Sequence, residues 1–466
     1  MVNTLKAADV ASLPVPPKNP LPYVEKVKAI RSLNTGIEKL RDAGGPVTRL
    51  RLGPKWLMPP IVVTTSPQGG RDVLGRKDAF VDKTLPLNQD MRRLYGRNLF
   101  NMAHDDWLPV RRSIQPVFTK QHVRQFGGHM AQAAETVTVT WSEGAVLDLD
   151  TECRKLTLRA LGRSVLGLDL AERAEALGEP MRITLEYVSD RGLRPVRAPW
   201  WLPTPARHHA RAAEAGLRKL AADILGGCRA DPTLDAPLVR ALIAATDPAT
   251  GHSLTDEQIC DELIVFLIAG HDTTATTLTY ALWALGHHPD FQDRVAAEVA
   301  ELGERRPAPE DVPRLPYTIQ VLNESLRLCP PGPALHRMAV QDVEIDGYRV
   351  EAGTGVIVGI YALHRDPKLW DDPLEFDPER FSPENSKGRD RWQYVPFGAG
   401  PRSCIGDHFA MLEATLALAT IMQHVEVRSL DDDFPMAVPF TMVAGGPIRA
   451  RIKRRDSEND AGGRRD

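Results

Sequence analysis

The stretch "FGAGPRSCIG", residues 397–406, sets one thiol, Cys404, among three glycines and a proline. Glycine costs backbone entropy and adds nothing to a core, so such a run answers to close approach of backbone to something bound. Several chemistries fail on residue count. A dinucleotide loop requires G-x-G-x-x-G, and Gly398, Gly400 and Ser403 leave the third glycine missing. A nucleophile elbow would need glycines on both sides of Ser403, which has neither. Cys404 and His408 are too few ligands for zinc. A free cysteine is most often a small buried hydrophobe, but that leaves the glycines without a purpose. Thiolate ligation of haem iron uses them. The sulfur must be screened from water and moderated by backbone N–H groups, which a glycine-permitted turn can aim at one atom. In that reading Arg402 reaches a haem propionate. Gly398 shapes the turn, Gly406 lets the next helix start close to the porphyrin, and Phe397 packs against the loop.

Four other stretches hold residues of the right type in the same chain. "NESLRLCPP" places Glu324 and Arg327 at i and i+3, on one helix face, where they can pair. "FDPERF" supplies Arg380, and "AHDDWLPVRRS" supplies Trp107 and Arg111. "AGHDTT", Ala269–Thr274, puts an acid beside an alcohol inside a helical stretch. Taken singly, each has an ordinary alternative: a surface ion pair, a surface arginine, or a helix irregularity with a solvated acid.

Together they resemble a family. Phe397, Gly400, Arg402, Cys404 and Gly406 match F-x-x-G-x-R-x-C-x-G, the haem-binding signature of the cytochrome P-450 superfamily, and the likeness runs on through Phe409, Ala410 and Glu413. The resemblance implies a mainly α fold with a minor β region and a long central helix over haem b, with Cys404 as iron ligand. It implies that Glu324, Arg327 and Arg380 form a buried triad supporting folding and haem retention. Trp107, Arg111, Arg337 and Arg402 would hold the propionates. Small Ala269 and Gly270 would let haem and dioxygen approach the long helix, which would open locally there. Thr273 would donate a hydrogen bond on that face, and Asp272 would relay protons inward. His271 takes no part. The acid–alcohol pair implies use of dioxygen and NAD(P)H-derived electrons. A haem-binding sensor without turnover is the alternative, and it would have no need of Asp272 and Thr273.

The elements that must position these residues are also legible. "LTDEQICDELIVFLIAGHDTTATTLTYALWALGHHPD" predicts a helix of over 30 residues, opened by a Thr255–Gln258 capping box and stopped by Pro289. "PVTRLRLG" and "PPIVVTTSP" predict a small hairpin, and Asp346-Gly347 a second. The chain contains no repeat and no Gly/Ser linker, so residues 1–466 are expected to form one domain. A Pro-rich lead-in, 1–20, and a polar tail, 452–466, are expected to be poorly ordered.

Bulk properties set the remaining limits. The net charge of −3 gives no global signal for nucleic acid or anionic membrane. Five scattered cysteines without a C-x-x-C pair argue against a disulfide framework and for the cytoplasm. The N-terminus, broken by charges and prolines, is expected to be neither signal peptide nor membrane anchor. With no flavin or nicotinamide motif, electrons are expected from a separate ferredoxin and ferredoxin reductase. Arg111, Arg112 and Lys120 are a candidate docking face. By resemblance, Phe266, Ala269, Pro333, Ala334, Leu335, Phe440, Thr441 and Met442 line the substrate cavity, roofed by 86–103 and 175–210. Such a wall suits a small lipophilic substrate such as a fatty acid, terpenoid or steroid. "WWLPTP", Trp200–Pro205, and the W-x-x-x-R pattern lean toward fatty-acid and terpenoid hydroxylases.

Overall fold

The computed structural model of the protein describes residues 10–56, 58–76, 78–168, 174–194 and 197–455. The helices that build the site are α1 (Pro86–Tyr95), α2 (His104–Ile114), α3 (Leu149–Leu161), α4 (Ala174–Leu193), α5 (Pro205–Ala230), α6 (Asp256–His287), α7 (Pro316–Leu328) and α8 (Asp407–His424). The long helix α6 starts where its capping box predicts. Thr255 Oγ1 accepts the Gln258 N–H at 3.2 Å, and Gln258 Oε1 accepts the Thr255 N–H at 2.9 Å. Its first half is buried in one apolar core with α1, α2, α4 and α5, and its second half in another with α3, α7 and α8. That double burial explains a helix apolar on nearly every face. Ala269–Thr274, a poor helix-forming run, falls between the two cores. No described helix is long and apolar enough to cross a membrane.

The minor β region follows the two predicted hairpins. Residues 47–50 pair antiparallel with 61–64, and 61–64 runs parallel to 355–358. The full sheet has the order 47–50, 61–64, 355–358, 335–339, 81–82. Asp346 and Gly347 both take left-handed backbone, φ 52° and 77°, in the tight turn between 343–345 and 348–350. This is the requirement of a two-residue hairpin turn.

The described parts of the two terminal stretches, 10–20 and 452–455, are held by backbone hydrogen bonds. Arg49 donates its N–H to the Pro17 carbonyl at 2.8 Å, Asn19 donates to the Arg49 carbonyl at 3.0 Å, and Arg349 donates to the Pro14 carbonyl at 2.8 Å. Proline lacks an N–H but keeps its carbonyl, so the lead-in is fastened as an acceptor of sheet donors. Residues 1–9 lie outside the described residues. At the other end, Ile452 is fully buried in the strand Arg449–Arg454, which pairs with Val425–Ser429. Charged neighbours on the outer face hide that strand in the sequence, and 456–466 lie outside the described residues.

One buried ion pair ties these layers to the cysteine loop. Arg327 and Glu324 have no exposed side-chain surface and meet through two bonds of 2.7 Å. Arg327 also donates to the carbonyls of His364, Pro373 and Glu375, while Glu324 accepts the Asp377 N–H and lies 3.4 Å from Arg380 Nε. His364 Nε2 in turn accepts the Val395 N–H at 3.0 Å, two residues before Phe397. Burial drives the His364 imidazole down to about 3, so it stays neutral and able to accept. Replacing Glu324 with Gln strands the Arg327 charge in the core. The expected loss is about 3–5 kcal/mol of stability, read by urea denaturation, and a loss well under 1 kcal/mol would contradict this role for the pair.

Candidate functional site

The cysteine loop closes on itself through backbone bonds. Cys404 donates its N–H to the Phe397 carbonyl at 2.9 Å, Gly398 to Val395 at 2.9 Å and Ser403 to Gly400 at 3.1 Å. Gly400 is held at φ 72°, and a Cβ there would lie 2.0 Å from the Leu74 carbonyl oxygen. No other residue fits. Gly406 has ordinary backbone, φ −95°, and precedes the first turn of α8. Its N–H faces the Cys404 sulfur. Burial pushes the thiol up to about 11, while this N–H and the Arg111 guanidinium draw it back. A metal ion overrides such a shift, because a coordinated thiol is deprotonated outright. The other four cysteines are buried, whereas Cys404 stands accessible on a cavity wall.

That cavity has a volume of about 690 Å³ and runs between α6 and the cysteine loop. Its wall is mostly apolar, with a group of cations at Lys83, Arg111, Arg337 and Arg402 and scattered neutral polar side chains such as Asn88 and Thr277, and no Asp or Glu lines it among the described residues. Arg111 donates to the Ser403 carbonyl at 3.2 Å. Arg402 bonds Asp82 and the Met102 carbonyl, each at 2.9 Å, and its guanidinium lies 4.4 Å from the centre of the buried Trp107 ring. Arg337 is buried and donates to the His336 carbonyl. Lys83, which sequence reasoning missed, donates to the Phe100 carbonyl at 2.6 Å. Burial brings Arg337 and Arg402 each down to about 10, and it lowers Lys83 with help from the neighbouring Arg337 and Arg402 charges. Asp82 is the one carboxylate bonded to any of the four among the described residues. Such a cluster suits a ligand that carries two carboxylates of its own, as haem does, with an iron ligand, Cys404, on the same wall.

The opposite wall comes from the centre of α6, where Phe266, Ala269, Gly270, Thr273 and Thr274 line the cavity. The helix does not open there. Thr273 instead donates its hydroxyl to the Ala269 carbonyl at 2.7 Å, within an unbroken helix. Gly270 serves packing as well, because a Cβ would lie 3.0 Å from Leu161 Cδ1. Asp272 is ion-paired with Arg154 of α3, which also bonds Asp150 at 2.6 Å. His271 is buried against Thr157 and held neutral, its imidazole pushed down to about 4 by burial.

Pro333, Ala334, Leu335, Phe440 and Thr441 line the cavity, as do Leu87, Met91, Tyr95, Leu99 and Phe100 from the 86–103 segment and Leu185 and Gly192 from 175–210. Met442 does not. It is fully buried in the second core, with its N–H on the Pro331 carbonyl. The expected docking face also changes. Arg111 is buried in the cavity wall, and Arg112 makes a two-pronged pair with the buried Asp247 at 2.9 and 2.8 Å. Arg112 holds that carboxyl well below the usual range, so neither arginine offers a free charge and only Lys120 stays exposed.

Comparison with known proteins bears on this geometry. The family model described as Cytochrome P-450 matches residues 14–453. Cyclooctatin synthase of Streptomyces melanosporofaciens is 33% identical over 410 residues, which is 87% of this chain and 88% of that protein. Cyclooctat-9-en-7-ol 5-monooxygenase of the same organism is 34% identical, covering 83% of each. The crystal structure of the cytochrome P-450DA heme domain superposes with a TM-score of 0.81 at 25% identity, over 95% of this chain and 98% of that one. The chain belongs to the cytochrome P-450 family, and it is a haem-binding monooxygenase that uses dioxygen and electrons drawn from NAD(P)H.

Proposed function

We propose that this protein is a single-domain hydroxylase of a lipophilic substrate in which Cys404 ligates the haem iron. Arg111, Arg337, Arg402 and Lys83 would bind the propionates, with Trp107 packed beneath Arg402. The observation that carries the reading is the cavity's charge layout, a group of cations and a mostly apolar wall around one accessible thiol, with no acid on the wall among the described residues. Bound there, haem supplies activation of dioxygen and insertion of one oxygen atom into a substrate bond. The chain supplies positioning and protons.

Thr273 puts a hydroxyl on the cavity wall, next in sequence to the acid Asp272. To act it must release the Ala269 carbonyl and turn its proton inward. Asp272 is one-fifth exposed, paired with Arg154 and next in sequence to Thr273, and moving off Arg154 would free it to pass a proton to Thr273. A sensor would make no use of this pair. The apolar wall supports a terpenoid or fatty-acid substrate, and the named activity of pentalenene oxygenase of Streptomyces avermitilis, 29% identical over 416 residues, supports the terpenoid. A separate ferredoxin and its reductase are the proposed electron source. The free cysteines agree with a cytoplasmic setting.

Thr273→Ala should leave electron consumption in place but lower the product formed per NAD(P)H. Unchanged coupling would remove Thr273 and Asp272 from the proton path. Lys83→Gln should speed haem transfer to apomyoglobin roughly 10-fold, the scale of one charge-assisted hydrogen bond. An unchanged transfer rate would show that Lys83 does not hold the cofactor.

A further inference from the structure

Leu99 and Phe100 line the cavity, yet they lie in 96–102, a segment with neither helix nor strand. Bonds inside the segment are short-range. Asn101 Nδ2 donates to the Gly96 carbonyl at 2.9 Å, and the Phe100 N–H to Asn98 Oδ1 at 3.2 Å. The rest of the molecule holds it on two sides. Lys83 and Arg402, of the cation group, donate to the Phe100 and Met102 carbonyls at 2.6 and 2.9 Å. From α6, the neighbouring acids Asp261 and Glu262 each accept one backbone N–H at 2.9 Å, from Arg97 and Leu99 respectively.

The two acids are not alike. Asp261 has a partner on each oxygen, because it also accepts from Arg218 of α5 at 2.8 Å. Glu262 has no exposed surface. Its bond to Leu99 is its one side-chain hydrogen bond among the described residues, and its Oε2 is buried without a partner. Burial raises its carboxyl well above the ordinary range and holds it neutral. A buried oxygen left unpaired opposes folding, so an apolar side chain would serve packing better. What only an acceptor does at this position is hold the Leu99 N–H.

The place of Glu262 on α6 gives that bond a consequence. Glu262, Phe266, Ala269 and Thr273 fall at i, i+4, i+7 and i+11, on one face of the helix. The last three line the cavity and Glu262 does not. The cavity face of α6 therefore stops at Phe266, and the segment bonded to Glu262 covers the next turn. The Phe100 ring then packs on that of Phe440, another wall residue, with centres 5.7 Å apart.

We infer that Glu262 is a positioning residue for substrate selection: through the Leu99 N–H it fixes the wall that ends the cavity along α6, and so sets which lipophilic bodies pack there without touching them. This rests on the reading that haem is bound at Cys404 with the substrate on the α6 side.

The test compares Glu262→Leu, which fills the space without an acceptor, with Glu262→Gln, which keeps one, in the haem-loaded full chain. Hydrogen exchange of the Leu99 amide should speed roughly 10-fold in Glu262→Leu and stay near the unaltered rate in Glu262→Gln. The wall itself is probed with 1-methylimidazole and 1-dodecylimidazole, titrated by the Soret shift of iron ligation. The methyl compound needs only the iron and should bind within about twofold in every variant. The dodecyl compound must lie along the wall, and Glu262→Leu should weaken it roughly 10-fold, the scale of one packed Leu side chain, with Glu262→Gln restoring it. Glu262→Asp, whose acceptor falls one methylene short, is the milder variant and should move both readouts the same way, so a Glu262→Leu that fails to fold still leaves the inference testable. Unchanged Leu99 exchange, an unchanged ratio of the two affinities, or equal weakening of both ligands would overturn it, the last marking a merely structural acid. No Soret shift with 1-methylimidazole in the unaltered protein would instead overturn the haem placement, and Leu99 exchange would still decide whether Glu262 holds the wall.

Discussion

Four cations, Lys83, Arg111, Arg337 and Arg402, buried or nearly so on one cavity wall with a single bonded carboxylate, impose the constraint around which this site is built. A charge removed from water must be compensated or it neutralises or unfolds the site. Asp82 compensates one. No other carboxylate bonds the group among the described residues, and the two carboxylates of haem are of the sign to bring it nearer balance. The same cations reach into the substrate side. Lys83 holds the Phe100 carbonyl and lies over its ring, 4.4 Å from the centre, while Phe100 packs against Phe440. Under the proposed reading, cofactor anchoring and the shape of the substrate wall are joined through one lysine.

The sulfur is positioned by a relay of buried polar contacts rather than by the loop alone. Glu324 fixes Arg327, Arg327 fixes the His364 carbonyl, and His364 fixes Val395 at the mouth of the loop. Gly400 then lets the chain turn against Leu74 without a clash. Flexible residues are rigid here because their surroundings leave them one conformation. The two halves of α6 are held in separate cores, so the polar centre of that helix is presented to the cavity without having to stabilise the helix.

Much of this was legible in the residues because the signals were local. The capping box, the Asp346-Gly347 turn, the Glu324–Arg327 spacing and the cysteine loop each lie within a few residues. What escaped depends on tertiary partners. Lys83 sits in no motif, and its importance comes only from the cations packed round it. Arg112 reads as a surface charge until Asp247, distant in sequence, is found beneath it. Met442 reads as cavity wall, yet its side chain turns into the core. The lead-in reads as loose from its proline content and terminal place, but the Pro14 and Pro17 carbonyls accept strand N–H groups. The expected opening of α6 does not occur. The helix runs unbroken through Ala269–Thr274 although Thr273 shares the Ala269 carbonyl.

The central claim is that Cys404 is the iron ligand in a site charged to receive haem. The most direct measurement is the absorption spectrum of the dithionite-reduced protein under carbon monoxide. Thiolate ligation predicts a strongly red-shifted Soret band that is lost in Cys404→His while haem remains bound. A Soret band at the ordinary haem–CO position in the unaltered protein, or a red-shifted band that survives Cys404→His, would contradict the account.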